Sequence, residues 1–328
     1  MHDHAHDNGH KHGEGHSHDH GKAGHGHAHG PGGHHHPAPD KVTTSLVVGV
    51  VLNSVFIVAE IFYGLIANSV ALLADAFHNA GDVLGLVLVW IAVWLAKRRP
   101  SPRRTYGYLK TSIFAALLNA AILLVSSGAI AWEAALRLAE PQPIVEGTVI
   151  WVAFVGVVIN GFSAWLIQRQ AGSDINMRGA FLHLAADAAL SLGVVVAAIV
   201  IGWTGWLVLD PLVSLVIVAV IAGATWGLLR DSVQLSLDAV PAGIDHAAVE
   251  AYLAGLPGVT AVHDLHIWPL STTETALTAH LVRPGAGHDD TFLAATADTL
   301  RDRFNIGHAT LQIEWDAAAC RLAPEHVI

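Results

Sequence analysis

Two short stretches carry residues able to hold a metal ion. His78 and Asp82 lie four apart in Ala74-Asp75-Ala76-Phe77-His78-Asn79-Ala80-Gly81-Asp82, and His183-Leu184-Ala185-Ala186-Asp187 repeats the spacing. On a helix, positions i and i+4 share a face. Two helices that each offer one imidazole and one carboxylate supply four ligands, the tetrahedral nitrogen and oxygen shell that Zn²⁺ accepts. The same donors tolerate Co²⁺ or Cd²⁺, whereas an all-oxygen set leans to Mn²⁺ or Mg²⁺. Both pairs sit inside long apolar runs. An ionisable residue there is costly and marks a functional site.

Other polar residues share those runs. Asp75 lies two helical turns before Asp82, near the edge of its run, where hydration is cheap and an entrance role is open to it. Asn53 and Glu60 share one face of the first run and read as helix-packing residues or a proton relay. Asp210, before Pro211, reads as the cap of the last run. Gly64, Gly81, Gly85, Gly156 and Gly161 read as points of close helix contact.

These residues need a membrane framework, and the composition supplies one. The 328 residues are 53% hydrophobic and 13% charged, with mean hydropathy +0.48, where a soluble domain carries about 25% charge. Six apolar spans are expected near 42–66, 70–96, 111–136, 147–168, 179–201 and 209–229; each reaches the roughly 20 residues that cross a bilayer. Lys97, Arg98, Arg99, Arg103 and Arg104 crowd the loop after the second span, and Arg169 and Arg178 flank the loop after the fourth. Glu140 and Glu146 lie after the third. The positive-inside rule then puts both termini and the even loops in the cytoplasm. The N-terminus, polar and His-rich, does not read as a cleavable signal.

The ends differ from the middle. Residues 1–40 hold 14 of the 23 histidines, among them His16, His18, His20, His34, His35 and His36, in Gly- and Asp-rich low-complexity sequence. Such a stretch cannot bury a core and reads as a disordered metal-capture tail. Residues 41–230 form the membrane domain, and 231–328 a polar one. In the latter, the sequence predicts a helix over 245–254, strands over 259–268 and 274–282, a helix over 289–304 and a strand over 309–315. That order makes a small α+β sheet with helices on one face. A second metal set is expected there: His263, His280 and Glu314 or Asp316, with His288 at the following helix start. Strand alternation places Asp264 with His266, opposite His263. Cys320, the single cysteine, excludes an intramolecular disulfide and reads as a spectator. No motif points to nucleic acid, and no general base stands beside the metal candidates beyond their own ligands, which disfavours an enzyme.

From about residue 45 to 316 the chain resembles the cation diffusion facilitator family of zinc transporters. The resemblance rests on Ala74 to Asp82, Thr105-Tyr106-Gly107-Tyr108, His183 to Asp187, Asp210-Pro211-Leu212-Val213-Ser214 and His263-Asp264-Leu265-His266-Ile267-Trp268. It implies six transmembrane helices followed by a cytoplasmic α+β domain, ferredoxin-like or metallochaperone-like, in a homodimer of the plasma membrane. It implies export of a divalent metal, Zn²⁺ first, in exchange for protons, with Co²⁺, Cd²⁺, Ni²⁺, Fe²⁺ or Mn²⁺ as alternative cargo. It makes His78, Asp82, His183 and Asp187 the transport site, and His263, His280 and Glu314 the tail-domain ligands. The chain departs from some relatives in lacking His and Asp between Lys97 and Arg104, where those relatives bind a further ion. A rival reading is a membrane-anchored zinc sensor or buffer; buried charge disfavours it, since an anchor has no use for such charge.

Overall fold

The computed structural model describes residues 44–170, 175–285, 287, 289–316 and 320. The histidines of residues 1–40, with His16, His18, His20, His34, His35 and His36, and also His288, lie outside them. Six long helices come first: α1 (Thr44–Ile66), α2 (Val70–Ala96), α3 (Thr111–Ala139), α4 (Glu146–Gln170), α5 (Ile175–Thr204) and α6 (Leu209–Ser236). Helices α2 to α6 are each long and apolar enough to cross a membrane, and α1 is apolar over Asn53–Ile66. Side chains such as Val125, Trp132, Trp151 and Trp226 stand exposed on their outer faces, the surface a bilayer would cover.

The stops are chemical. Asn68 takes the left-handed conformation (φ 55°) and Ser69 caps α2, its hydroxyl accepting from Leu72 N. Gly205 (φ 69°) ends α5, a conformation glycine adopts without strain. Pro211 falls in the first turn of α6, where a missing N–H costs nothing. Helix α6 runs past Arg230 and Asp231 to Ser236, so the change of character at residue 231 falls within a helix rather than between domains.

Small residues let the helices meet. A Cβ on Gly81 would collide with Leu123 of α3, and one on Gly64 would press 2.9 Å from Leu73. Gly161 has open space instead and needs another account. A core of Ala71, Leu72, Ala74, Val149, Ala153, Val194, Ile201, Ile217 and Ile221 ties α2 to α4, α5 and α6.

Asp210 does not cap its own helix. It accepts from Ser69 Oγ (2.5 Å), Val70 N (2.8 Å) and Ala71 N (3.4 Å), so α6 supplies the N-terminal cap of α2. A carboxylate there meets unpaired N–H groups and the positive end of the helix dipole. Nearby, Arg137 of α3 donates to Asn68 O and pairs with Glu133. This arginine runs against the charge bias of the loops, but local partners occupy it.

The polar domain follows as α7 (His246–Ala254), β1 (Ala261–Pro269), β2 (Thr275–Val282), α8 (Asp290–Phe304) and β3 (His308–Glu314), the αββαβ order expected. The sheet runs β1-β2-β3, antiparallel then parallel. Leu277, Ala279 and Leu281 of β2 join Val249, Leu253 and Leu300 in the core under α7 and α8. By alternation, His280 points to the other face. Asp289 caps α8 through Phe292 N and pairs with Arg283. Lys110 Nζ to Asp238 (2.6 Å), Thr272 N to Ser112 Oγ (3.1 Å) and the Tyr106–His308 ring contact join this domain to the helices.

Replacing Asp210 by Ala strips three donors of a buried charged acceptor. The expected loss is about 2 kcal/mol, read as a lower melting temperature in detergent; an unchanged melt would contradict the capping role.

Candidate metal sites

The two His-x-x-x-Asp pairs meet. His78 Nε2 stands 3.1 Å from Asp187 Oδ1 and 3.9 Å from Asp82 Oδ2. His183 Nε2 stands 3.3 Å from Asp82 Oδ2 and 3.6 Å from Asp187 Oδ2. Each imidazole thus faces one carboxylate of its own helix and one of the other. The rings lie 6.1 Å apart at 84°, with both Nε2 atoms turned to a common centre. Ligands about 2.0–2.1 Å from a tetrahedral ion lie about 3.3 Å from each other. The four His–Asp separations, 3.1 to 3.9 Å, bracket that value; His78, Asp82 and Asp187 offer ligand atoms within 4.8 Å of one another, and His183 stands outside that tightest group, reaching it through the two carboxylates. All four side chains are mostly sheltered, Asp187 most of all.

The accessory residues divide. Asp75 is fully buried and accepts from Ser191 Oγ at 2.6 Å, which corrects its reading as a hydrated residue at the membrane edge. Asp75 sits early in α2, but Ser191 of α5 and the buried Glu60 of α1 cover this turn. Glu60 is equally buried and accepts from Asn79 Nδ2 at 3.4 Å. Asn53, half-buried, lies about 10 Å further along α1 and is not drawn into this cluster. Asn79, which the sequence reading passed over, links α2 to Glu60; its place beside His78 was the available signal.

The polar domain gathers a second set. His263 and His280 are direct partners across β1 and β2, their rings 5.2 Å apart. Gln312 is the β3 partner of His280, so Glu314, two residues on, shares its face. Its carboxylate stands 3.2 Å from His263 Nε2 and 3.0 Å from His280 Nδ1. Cys320 Sγ reaches 3.5 Å from His280 Nδ1, so the thiol is no spectator. His263, His280, Glu314 and Cys320 offer ligand atoms within 4.8 Å of one another; exposed Asp316 is not in this group. Burial pushes the Glu314 carboxyl up, but hydrogen bonds from Cys320 and Gln312 and the charges of His263 and His280 outweigh it and hold it below its ordinary value. It therefore stays ionised, as a ligand must.

Asp264 departs from simple alternation. The β1 register shifts between His263 and His266, and Asp264 takes φ 51°. The bulge turns its carboxylate to His280 Nε2 (3.4 Å), while it still holds His266 Nε2 (2.9 Å). An inserted residue breaks the period of two on which strand faces are assigned.

Comparison with known proteins shows the family. Residues 46–235 match the model of the cation efflux transmembrane domain, and residues 241–315 that of the cation efflux protein cytoplasmic domain. The chain belongs to the cation efflux, or cation diffusion facilitator, family. It is an integral membrane protein, a divalent metal efflux transporter rather than an enzyme. It is 35% identical over 280 residues to the cation efflux system protein CzcD of Alcaligenes sp. (strain CT14), covering 85% of this chain and 89% of that one. The zinc transporter ZitB of Escherichia coli is 33% identical over 263 residues, 79% of this chain and 83% of its own. A cadmium, cobalt and zinc/H⁺-K⁺ antiporter of Bacillus subtilis is 30% identical over 280 residues, 83% and 89%.

Cys320 separates the two sets experimentally. In a chain lacking residues 1–36 and carrying His78→Ala and Asp187→Ala, the tail set alone reports. Cys320→Ser there should weaken Cd²⁺ binding by at least about tenfold, and Zn²⁺ binding less, in competition with a metal-sensitive dye. Equal affinities with and without the thiol would remove Cys320 from the set.

Proposed function

We propose that this transporter exports Zn²⁺ from the cytoplasm by alternating access, in exchange for protons, with His78, Asp82, His183 and Asp187 as its transport site. The carrying observation is that each imidazole stands 3.1 to 3.9 Å from both carboxylates, with His78, Asp82 and Asp187 close enough to share one ion and His183 beside them. Two imidazoles and two carboxylates favour Zn²⁺, with Co²⁺ and Cd²⁺ next. Relatives named as zinc transporters and as a cadmium, cobalt and zinc antiporter support that order.

Metal ligation needs neutral imidazole and ionised carboxylate, so a proton and a metal ion compete for the same atoms. Competition at one site visited from both sides of the membrane is enough for exchange, provided the inward and outward states bind the ion differently. His263, His280, Glu314 and Cys320 form the candidate regulatory site. His263 Nε2 and Glu314 Oε2 are buried and face each other at 3.2 Å without a hydrogen bond, as two ligands of one cation would. The cytoplasmic-domain match supports a homodimer joined through this domain. The loop arginines support cytoplasmic termini in the plasma membrane, where the N-terminal histidines would capture metal. Family membership weighs against the anchored sensor or buffer.

Sealed vesicles containing the full chain and a pH-sensitive dye test this reading ion by ion. Zn²⁺ should drive proton movement, and His78→Ala or Asp187→Ala should abolish it while the protein still inserts. Zinc flux without proton movement would defeat the exchange. His78→Asp makes the set oxygen-rich and should broaden uptake toward Mn²⁺ or Cd²⁺; unchanged selectivity would remove His78 from the site.

A further inference from the structure

One turn away from the four metal-facing side chains, α1 and α2 bring a second pair of acids together. Glu60 and Asp75 are both 0% exposed, and Asn79, one turn after Asp75 on α2, donates to Glu60 and so ties the two acids to one place. An ionised carboxylate only accepts, so two of them side by side have no donor for each other unless one carries a proton. Asn79 Nδ2 occupies Glu60 Oε2, and Ser191 Oγ occupies Asp75 Oδ2. Glu60 Oε1 and Asp75 Oδ1 are the buried oxygens that no amide or hydroxyl reaches.

Among the described residues, no Lys or Arg pairs with either acid; the titratable groups on the same faces are His78, one turn after Asp75 on α2, and Asp187, one turn before Ser191 on α5. Helix α4 meets this region through Gly156, beside Phe56 and Ser191, and its ionisable residues, Glu146 and Arg169, lie at its ends. Asp210 of α6 is engaged at the start of α2, and Glu133 and Arg137 of α3 pair with each other. Adjacent carboxylates in an apolar setting keep one proton rather than ionise together. Asp75 stands one turn before His78 on α2, and its partner Ser191 one turn after Asp187 on α5. The acid pair is therefore bolted to the two helices that present the metal ligands.

We propose that the Glu60–Asp75 pair is a proton-carrying site of the transport cycle, holding one proton while the neighbouring four-ligand site is free of metal and releasing it when a divalent cation arrives there. The carboxyl O–H bond breaks, the proton passes to water, and the second carboxylate charge is offset by the incoming ion. The inference rests on the exchange reading above and adds a proton store distinct from the imidazole nitrogens.

The test uses the full chain. Zn²⁺ affinity is measured in detergent across pH, and protons moved per Zn²⁺ in sealed vesicles, for wild type, Glu60→Gln and Asp75→Asn. Both variants should still bind Zn²⁺, with the slope of log affinity against pH lower by about one and about one proton fewer moved per ion. A packing role alone would change affinity or stability and leave that slope intact. Slopes and proton counts equal to wild type would overturn the inference while leaving the exchange standing. Zn²⁺ transport by wild type without protons would overturn both. Should the variants not insert, infrared difference spectra of wild type decide: Zn²⁺ should remove a protonated-carboxyl band, and its persistence counts against the pair.

Discussion

Two carboxylates and two imidazoles, held together inside an apolar helix bundle, are the constraint on which this structure turns. Such a group is expensive to desolvate. His78 and His183 each face Asp82 and Asp187 and can share a proton with them. The arrangement is therefore stable only because the rest of the bundle enforces it. The core of small and branched side chains ties α2 to α4, α5 and α6, and Asp210 locks α6 onto the first turn of α2. Since α2 carries His78 and Asp82, its axial position sets where half of this polar group stands.

The polar domain solves a similar problem with different means. Here a sheet, not two helices, supplies the convergence. Cross-strand pairing brings His263 opposite His280, parallel pairing sets Glu314 on the same face, and a bulge redirects Asp264. His263 Nε2 and Glu314 Oε2, buried and 3.2 Å apart without a hydrogen bond, mark a set whose members satisfy one another incompletely, a combination that ordinary cores avoid. The exposed Lys110–Asp238 pair and the Thr272–Ser112 contact link the two regions. The first, half-exposed on both sides, contributes little stability by itself.

Much of this was legible from local pattern. Apolar length announces a membrane helix because lipid satisfies no backbone polar group, so spans such as 70–96 could be read to the residue. The i, i+4 spacing put His78 with Asp82, and His183 with Asp187, on single faces. Alternation and turn chemistry announced the αββαβ order of the polar domain. These properties depend on residues a few positions apart, and a chain carries that information in its own order.

What order could not carry was contact between distant segments. That His78 faces Asp187 depends on how α2 crosses α5. That Asp75 is buried depends on α1 and α5 covering its turn, and that Asp210 caps α2 depends on α6 beginning beside Ser69. Asp264 turns to His280 through a bulge, and Cys320 stands beside His280 although 40 residues separate them in sequence. Each is a matter of packing geometry across the bundle or the sheet. Side-chain partners there are chosen by the three-dimensional fit of the elements, which no periodicity within one element encodes.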